Sequence, residues 1–346
     1  MPQTHHSHSG SFCCHAKDTL PLMVSRAISL HYTTLCLTEH VPRDTASDLY
    51  PEEVAASLTP FDLFQRFDQY VHKAREMRKL VKAGWTGAVD EKGEAIAEFR
   101  KSESGLPEME VLIGMETEYI RPSSLSMALE LREKYALELL IGSVHHVNTI
   151  PIDFDQATFQ RAVESCSPPT ETGLFEAYFD HHFEVLSKLK PEVVGHWDLI
   201  RLFCADFKKD LKDYGGQVWE KCVRNAEEVA KYGGLVEVNS SAVRKGWDGP
   251  YPRPDVMKLL ISKGARFCLS DDSHSTEQMG LNYHVVIPYL ESLGVERVHY
   301  LEKLPMGQVA VDMLGGLKVS SVKVSDLRKS MFWQAIGQVL PAASSS

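Results

Sequence analysis

One unit recurs along the chain: a short apolar run, a polar residue able to bind metal, then a segment of helical character. Thr33 to Thr38 leads to Glu39-His40, and Val111 to Met115 leads to Glu116. Leu137 to Val144 leads to His145-His146, and Val193-Val194-Gly195 leads to His196. Leu235 to Val238 leads to Asn239, and Arg266 to Leu269 leads to Ser270-Asp271-Asp272-Ser273-His274. Met1 to His8 is a weaker seventh run. Short apolar or β-branched runs of this kind read as buried parallel strands, and the intervals between them are long enough for crossover helices. Phe61 to Val81 carries Phe64, Phe67, Val71 and Met77 among basic residues, and Leu125 to Tyr135 and Phe175 to Leu189 behave similarly. Val218 to Tyr232 runs into Gly233-Gly234, a helix C-cap leading to the next strand.

Strand–helix alternation predicts an α/β fold with a mostly parallel sheet. The ligand-type residues always fall at strand ends, so one face gathers them. The expected fold is a distorted, TIM-barrel-like (β/α)7 barrel with its chemistry at the C-terminal ends of the strands; an open doubly wound sheet is the alternative. Residues 1–317 are expected to form a single catalytic domain. Within it, Gly84 to Pro107 reads as an exposed, mobile insertion. Residues 318–346 read as an extension, with a terminal helix over Asp326 to Val339 packing through Leu327, Met331, Phe332 and Ile336, and a frayed Ser-rich end.

Composition narrows the function classes. The 346 residues are 43% apolar and 24% charged, an ordinary globular balance that excludes a disordered, collagen-like or coiled-coil chain. With 37 basic and 47 acidic side chains the formal charge is −10, which argues against nucleic acid as the main partner. Seven scattered cysteines, an odd number with no C-x-x-C, suit a reducing compartment. The polar N-terminus is unlike a signal peptide, and no apolar run reaches the ~18 residues of a membrane helix. A cytoplasmic protein without membrane attachment is expected; the oligomeric state is open.

The 15 histidines are the compositional feature that asks for chemistry. At the run ends stand His6, His8, His15, His40, Glu116, His145, His196, Asp272 and His274. A single catalytic zinc-like ion takes three or four protein ligands, so these nine side chains suit two or three divalent ions sharing a carboxylate. Imidazole with carboxylate favours Zn, Fe or Mn. In His6-Ser7-His8, residues i and i+2 of a strand point to one side, and Asp272-Ser273-His274 repeats the spacing. By the same argument His5 and His146 face away and are left out. Cys13 and Cys14 adjoin His15, but with so many imidazoles the ligand set is built without them.

These residues carry a resemblance. His6-Ser7-His8-Ser9 with His15, Thr38-Glu39-His40, Gly114-Met115-Glu116, Gly142-Ser143-Val144-His145, Gly195-His196-Trp197-Asp198 and Ser270 to His274 resemble the polymerase and histidinol phosphatase (PHP) superfamily. The chain is most similar to its monofunctional histidinol-phosphatase branch, of which Ser143 to Asp155 and Val238 to Lys245 are also typical. The resemblance implies a trinuclear site: one ion on His6, His8, Glu116 and Asp272, a second sharing Glu116 and adding His145 and His196, a third on His15, His40 and His274. It implies hydrolysis of L-histidinol phosphate to L-histidinol and phosphate in histidine biosynthesis, with Glu116, Asp272 and His274 as catalytic residues.

Clustered metals would make hydroxide available near neutral pH and neutralise the phosphoryl oxygens. Their charge also removes the objection that an acidic chain should repel an anionic substrate. Arg244 and Arg43 are candidates to grip phosphate, and Asp153 and Asp198 to accept the substrate's ammonium and imidazole; Asp198 could equally orient His196. Two other readings remain: a PHP-type phosphoesterase for another small phosphate monoester, and a metal-binding protein without turnover.

Overall fold

In a computed structural model of the protein, which describes residues 3–100, 109–304, 307–308 and 310–341, the apolar runs form seven parallel strands. In chain order these are β1 (Gln3–Thr4), β2 (Thr34–Leu37), β3 (Glu110–Glu116) and β4 (Leu139–Gly142). A small antiparallel hairpin follows, β5 (His146–Val147) and β6 (Ile150–Pro151). The parallel series then resumes with β7 (Val193–Val194), β8 (Leu235–Asn239) and β9 (Arg266–Ser270). The sheet order β1-β2-β3-β4-β7-β8-β9 follows the chain, with every pairing parallel. The weak N-terminal run closes the circle. The His5 backbone N–H donates to the Leu269 carbonyl at 3.3 Å, and that of His8 to Ser273 at 2.8 Å. The result is a nearly closed barrel, not an open doubly wound sheet.

Local sequence explains the crossovers. Thr59 and Asp62 form a reciprocal capping box that starts the helix Pro60–Lys82, whose buried face is Leu63, Phe67, Tyr70, Val71, Ala74, Met77 and Val81. That three-to-four-residue spacing is one helical stripe laid on the barrel wall. The helix Val218–Tyr232 ends at Gly233, whose φ of 78° is open to glycine without a Cβ penalty.

A second sheet plugs the end of the barrel opposite the ligand-bearing strand ends. It is antiparallel, with β10 (Arg297–Glu302) and β11 (Met313–Leu314) flanking β12 (Leu317–Lys323). Leu301, Leu314, Leu317 and Val319 form one apolar cluster with the barrel residues Cys36, Leu112, Leu139, Val193, Leu235 and Cys268. His5 joins the two sheets: its Nε2 accepts from the Leu301 N–H while its Nδ1 lies 3.0 Å from the Leu269 carbonyl.

Two segments differ from their sequence expectation. Gly84 to Arg100 is not loose: Trp85 is 1% exposed, and bridges between Trp85 and Phe99 and between Val89 and Ala95 fold the segment back on itself. The hydroxyls of Thr19 and Ser25 donate to its Gly93 and Gly87 carbonyls. Burial of the indole is what anchors it; residues 101–107 lie outside the described residues. Strand β12 crosses the boundary expected at 317/318, because its pairing with β10 ties it to the plug. Beyond it stand two short helices, Val324–Leu327 and Phe332–Ile336, in place of one. The Ser-rich end at 342–346 lies outside the described residues.

Leu301 is fully buried at the centre of the plug. Leu301→Ala should cost about 2–5 kcal/mol of stability in urea unfolding. A loss under about 1 kcal/mol would show that the plug is not packed as described.

Candidate metal centre

Glu116 ends a barrel strand and the other candidate ligands follow strand ends closely, except His15, which lies in the loop between β1 and the helix Leu20–Ser29. The centre of the group is Glu116, last residue of β3 and 1% exposed. Its Oε1 lies 3.2 Å from His6 Nε2, 3.4 Å from His145 Nε2 and 3.1 Å from His196 Nε2. Its Oε2 lies 3.4 Å from His8 Nε2 and 2.9 Å from His40 Nδ1. Asp272 Oδ1 reaches His6 and His8 from the far side, at 3.7 and 3.5 Å.

The i, i+2 argument holds for His6 and His8, whose ring centroids are 5.0 Å apart. Asp272 and His274 converge by another route. Strand β9 ends at Ser270, and Asp272 takes a left-handed φ of 47°, so a turn brings the two together. A non-glycine residue held there stores strain of the kind found at functional sites.

The donor set fits metal ions. His6 Nε2 and His8 Nε2 are buried without a hydrogen-bond partner. His145 Nε2 and His196 Nε2 lie 3.2 Å apart, and His15 Nε2 and His40 Nε2 3.3 Å apart. Two nitrogens bound at 2.0–2.1 Å to one tetrahedral ion stand about 3.3–3.4 Å apart. Ligand atoms of His6, His8 and Glu116 cluster within 4.8 Å, as do those of Glu116, His145 and His196, and those of His8, Asp272 and His274.

The electrostatics agree. Burial alone would neutralise Glu116, but His6, His145 and His40 override it and hold the carboxyl well below its usual range. Burial likewise discourages charge on His8 and His145, yet Glu116 lifts both to about 9. Burial and the neighbouring His8 push His40 and His274 the other way, well below the usual imidazole range. The field that keeps protons on His8 and His145 is one that draws cations, which compete with those protons for the same nitrogens.

Above the cluster is a cavity of about 480 Å³, lined by His15, His40, Glu116, His145, His196, Asp272 and His274 and by a wall of other side chains. Arg244 lines it, its Nη2 donating to the Asp272 carbonyl at 3.2 Å, and so does Asp153. Arg43 does not: it is buried between Glu53 and Glu118, with its guanidinium over the Tyr50 ring. Asp198 does not either, and it does not orient His196. It is buried against Arg201 at 3.3 Å and accepts from the Arg253 N–H at 3.0 Å. For both, a strong partner of opposite charge outside the cavity decides the orientation.

A match to the PHP domain covers residues 4–241, all the candidate ligands except Asp272 and His274. The chain belongs to the PHP domain family. Across 90% of this chain it is 40% identical to a Schizosaccharomyces pombe protein named "Probable histidinol-phosphatase", spanning 93% of that protein. Across 96% of this chain it is 30% identical to the histidinol-phosphatase of Saccharomyces cerevisiae, spanning 99% of that one. The barrel is similar to a solved structure of histidinol phosphate phosphatase from Lactococcus lactis, complexed with zinc, L-histidinol and phosphate. The TM-score is 0.52 at 14% identity, over 85% of this chain and 95% of that one. A candidate histidinol phosphatase from Listeria monocytogenes aligns at TM-score 0.63 and 19% identity, over 82% and 98% of the two chains.

Around this PHP centre stand carboxylates outside the nine-residue ligand set, and of these Glu237 and Glu52 went unnamed in the sequence reading. Glu237, fully buried on β8, lies 3.2 Å from His6 Nδ1 and accepts from the His196 backbone N–H at 2.6 Å and from Asn239 at 2.7 Å. Glu52 lies 3.1 Å from His15 Nδ1. Glu39 accepts from the N–H and hydroxyl of Ser9, steadying the turn after His8. The signal for Glu237 was present: an acid in the middle of an apolar strand, two residues from Asn239, must face the barrel interior. Tyr50, Phe154, Lys245 and Gln278 also line the cavity and carry no spacing signature.

Carboxylates behind metal-bound imidazoles set ring orientation and basicity. Glu237→Gln keeps the shape but loses the charge beside His6, and should weaken metal retention by about 10–100-fold in chelator competition. Unchanged retention would show that the contact does not tune the centre.

Proposed function

We infer that the protein is a metal-dependent phosphomonoesterase that hydrolyses L-histidinol phosphate to L-histidinol and phosphate, a step of histidine biosynthesis. The observation that carries this reading is the convergence of imidazoles on the buried Glu116 beneath an open cavity with a cationic side chain at its rim. The histidinol-phosphatase names of relatives spanning nearly the whole chain supply the substrate. The L-histidinol and phosphate bound by the Lactococcus lactis protein of the same fold support it.

Two or three divalent ions, Zn, Fe or Mn, would be held by His6, His8, Glu116 and Asp272, by Glu116, His145 and His196, and by His15, His40 and His274. Bound there, such ions supply an acidified water and neutralise phosphoryl oxygens. The chain's own residues do the rest. Glu116, kept ionised by its imidazoles, stands between the first two ligand groups and sets their separation. Asp272 and His274 complete the groups nearest Arg244. The Arg244 guanidinium, anchored on the Asp272 carbonyl and lining the cavity, would have further N–H groups to offer the phosphate. Lys245 adds a second positive charge on the same wall, and Asp153, elsewhere on the lining, offers a carboxylate to the substrate's ammonium. Hydrolysis breaks the ester P–O bond: water gives its hydroxyl to phosphorus and its proton to the departing alkoxide. No side chain needs to become phosphorylated.

Stripping the protein with a chelator should abolish phosphate release, and divalent metal should restore it. L-histidinol phosphate should turn over with a kcat/KM far above that of a generic aryl phosphate; equal values would sink the substrate assignment. Arg244→Ala should lower kcat/KM by about 10-fold or more, since a charge-assisted hydrogen bond is worth about 1.5–3 kcal/mol. An unchanged value would remove Arg244 from the site. Arg43→Lys, by contrast, should affect stability before kinetics.

A further inference from the structure

We propose that Cys13 is a fourth protein ligand to the ion held by His15, His40 and His274, making that position a thiolate–imidazole site suited to zinc. The inference deepens the metal-dependent reading and rests on it. The Cys13 sulfur and ligand nitrogens of His15, His40 and His274 all lie within 4.8 Å of one another. The 3.3 Å between the His15 and His40 nitrogens already matches the edge of a tetrahedron around one ion. Cys13 is 6% exposed, with its sulfur among those imidazole nitrogens and away from bulk solvent. Its neighbour Cys14 is committed elsewhere, with Arg66 donating to its sulfur at 3.4 Å.

The direction of approach matters. Cys13, His15 and His40 line a second, smaller cavity together with Glu39 and Arg43. His15, His40 and His274 line the open cavity, which Cys13 does not touch. The two imidazoles shared by both cavities stand between them, and the thiol lies on the side of the smaller one. A thiolate there would reach the ion from the side away from the open cavity. On binding, the thiol proton leaves to solvent, and the thiolate cancels part of the ion's charge. With its charge reduced in this way, such an ion would serve to hold phosphate more than to acidify water. The soft sulfur also discriminates: zinc is favoured at this position over manganese or magnesium.

The test uses the full chain, stripped with a chelator and reloaded with zinc or cobalt(II). X-ray absorption at the zinc edge should show a sulfur neighbour at about 2.3 Å beside the nitrogen and oxygen shell. The cobalt form should show a near-ultraviolet thiolate-to-metal charge-transfer band. The band should vanish in Cys13→Ser and persist in Cys14→Ser, and Cys13→Ser should lose one ion at least about 10-fold more readily in chelator competition. Metal uptake with only nitrogen and oxygen neighbours, or a band that survives Cys13→Ser, overturns the proposal and leaves the phosphatase reading intact. Failure to take up metal at all overturns the phosphatase reading as well. Should Cys13→Ser not fold, the wild-type absorption spectrum and the Cys14→Ser band decide alone.

Discussion

A carboxylate sunk beneath the barrel mouth, with five imidazoles within 3.4 Å of it, is what the rest of the site depends on. An isolated buried charge costs several kcal/mol. Glu116 stays ionised because rings from β1, β2, β4 and β7 stop at its level. That condition constrains the fold. The strands are short and parallel, and His40 bridges directly to Glu116 so that the two share a rung. Where a strand would overshoot, the backbone bends, as at Asp272. The barrel delivers side chains to one depth from many directions, which no single helix or hairpin could do.

Behind the rings is a second layer of charge. Glu237 and Glu52 stand against His6 and His15, and Glu39 holds the Ser9 turn. Glu237 and Glu52 each remove a rotational freedom that the imidazole beside them would otherwise keep. Farther down, the apolar plug around Leu301 fills the opposite end of the barrel, and His5 couples it to the strand that carries His6. One short segment, Thr4 to His8, therefore links barrel closure, plug and ligands.

The barrel and the ligand cluster were largely legible in the sequence, because both are periodic. Apolar runs ending in His, Asp or Glu give strand and site in one signal, and even the weak run at Met1 to His8 became β1. The substrate wall was not legible in the same way. Arg43 and Asp198 follow strand ends as Arg244 and Asp153 do, yet Glu53 and Glu118 capture one and Arg201 the other. Which arginine stays free depends on partners distant in sequence, and spacing carries no record of them. Trp85 was misplaced for a related reason: a Gly- and Glu-rich segment looked loose, and one buried indole anchors it. The sulfur of Cys13 lies within 4.8 Å of ligand nitrogens of His15, His40 and His274, a proximity that a count of imidazoles cannot reveal.

The hairpin of β5 and β6 turns on Asn148 and Thr149, both in left-handed conformations, and hands the chain on to Asp153 and Phe154 at the cavity. Its two strands pair with each other, outside the seven-stranded sheet. The hairpin is tied back to the imidazole ring, since the Ile152 N–H beyond β6 donates to the His145 carbonyl at 2.9 Å. A change in the length of that hairpin would therefore shift Asp153 and His145 together, so the shape of the cavity wall and the placing of one imidazole are a single variable.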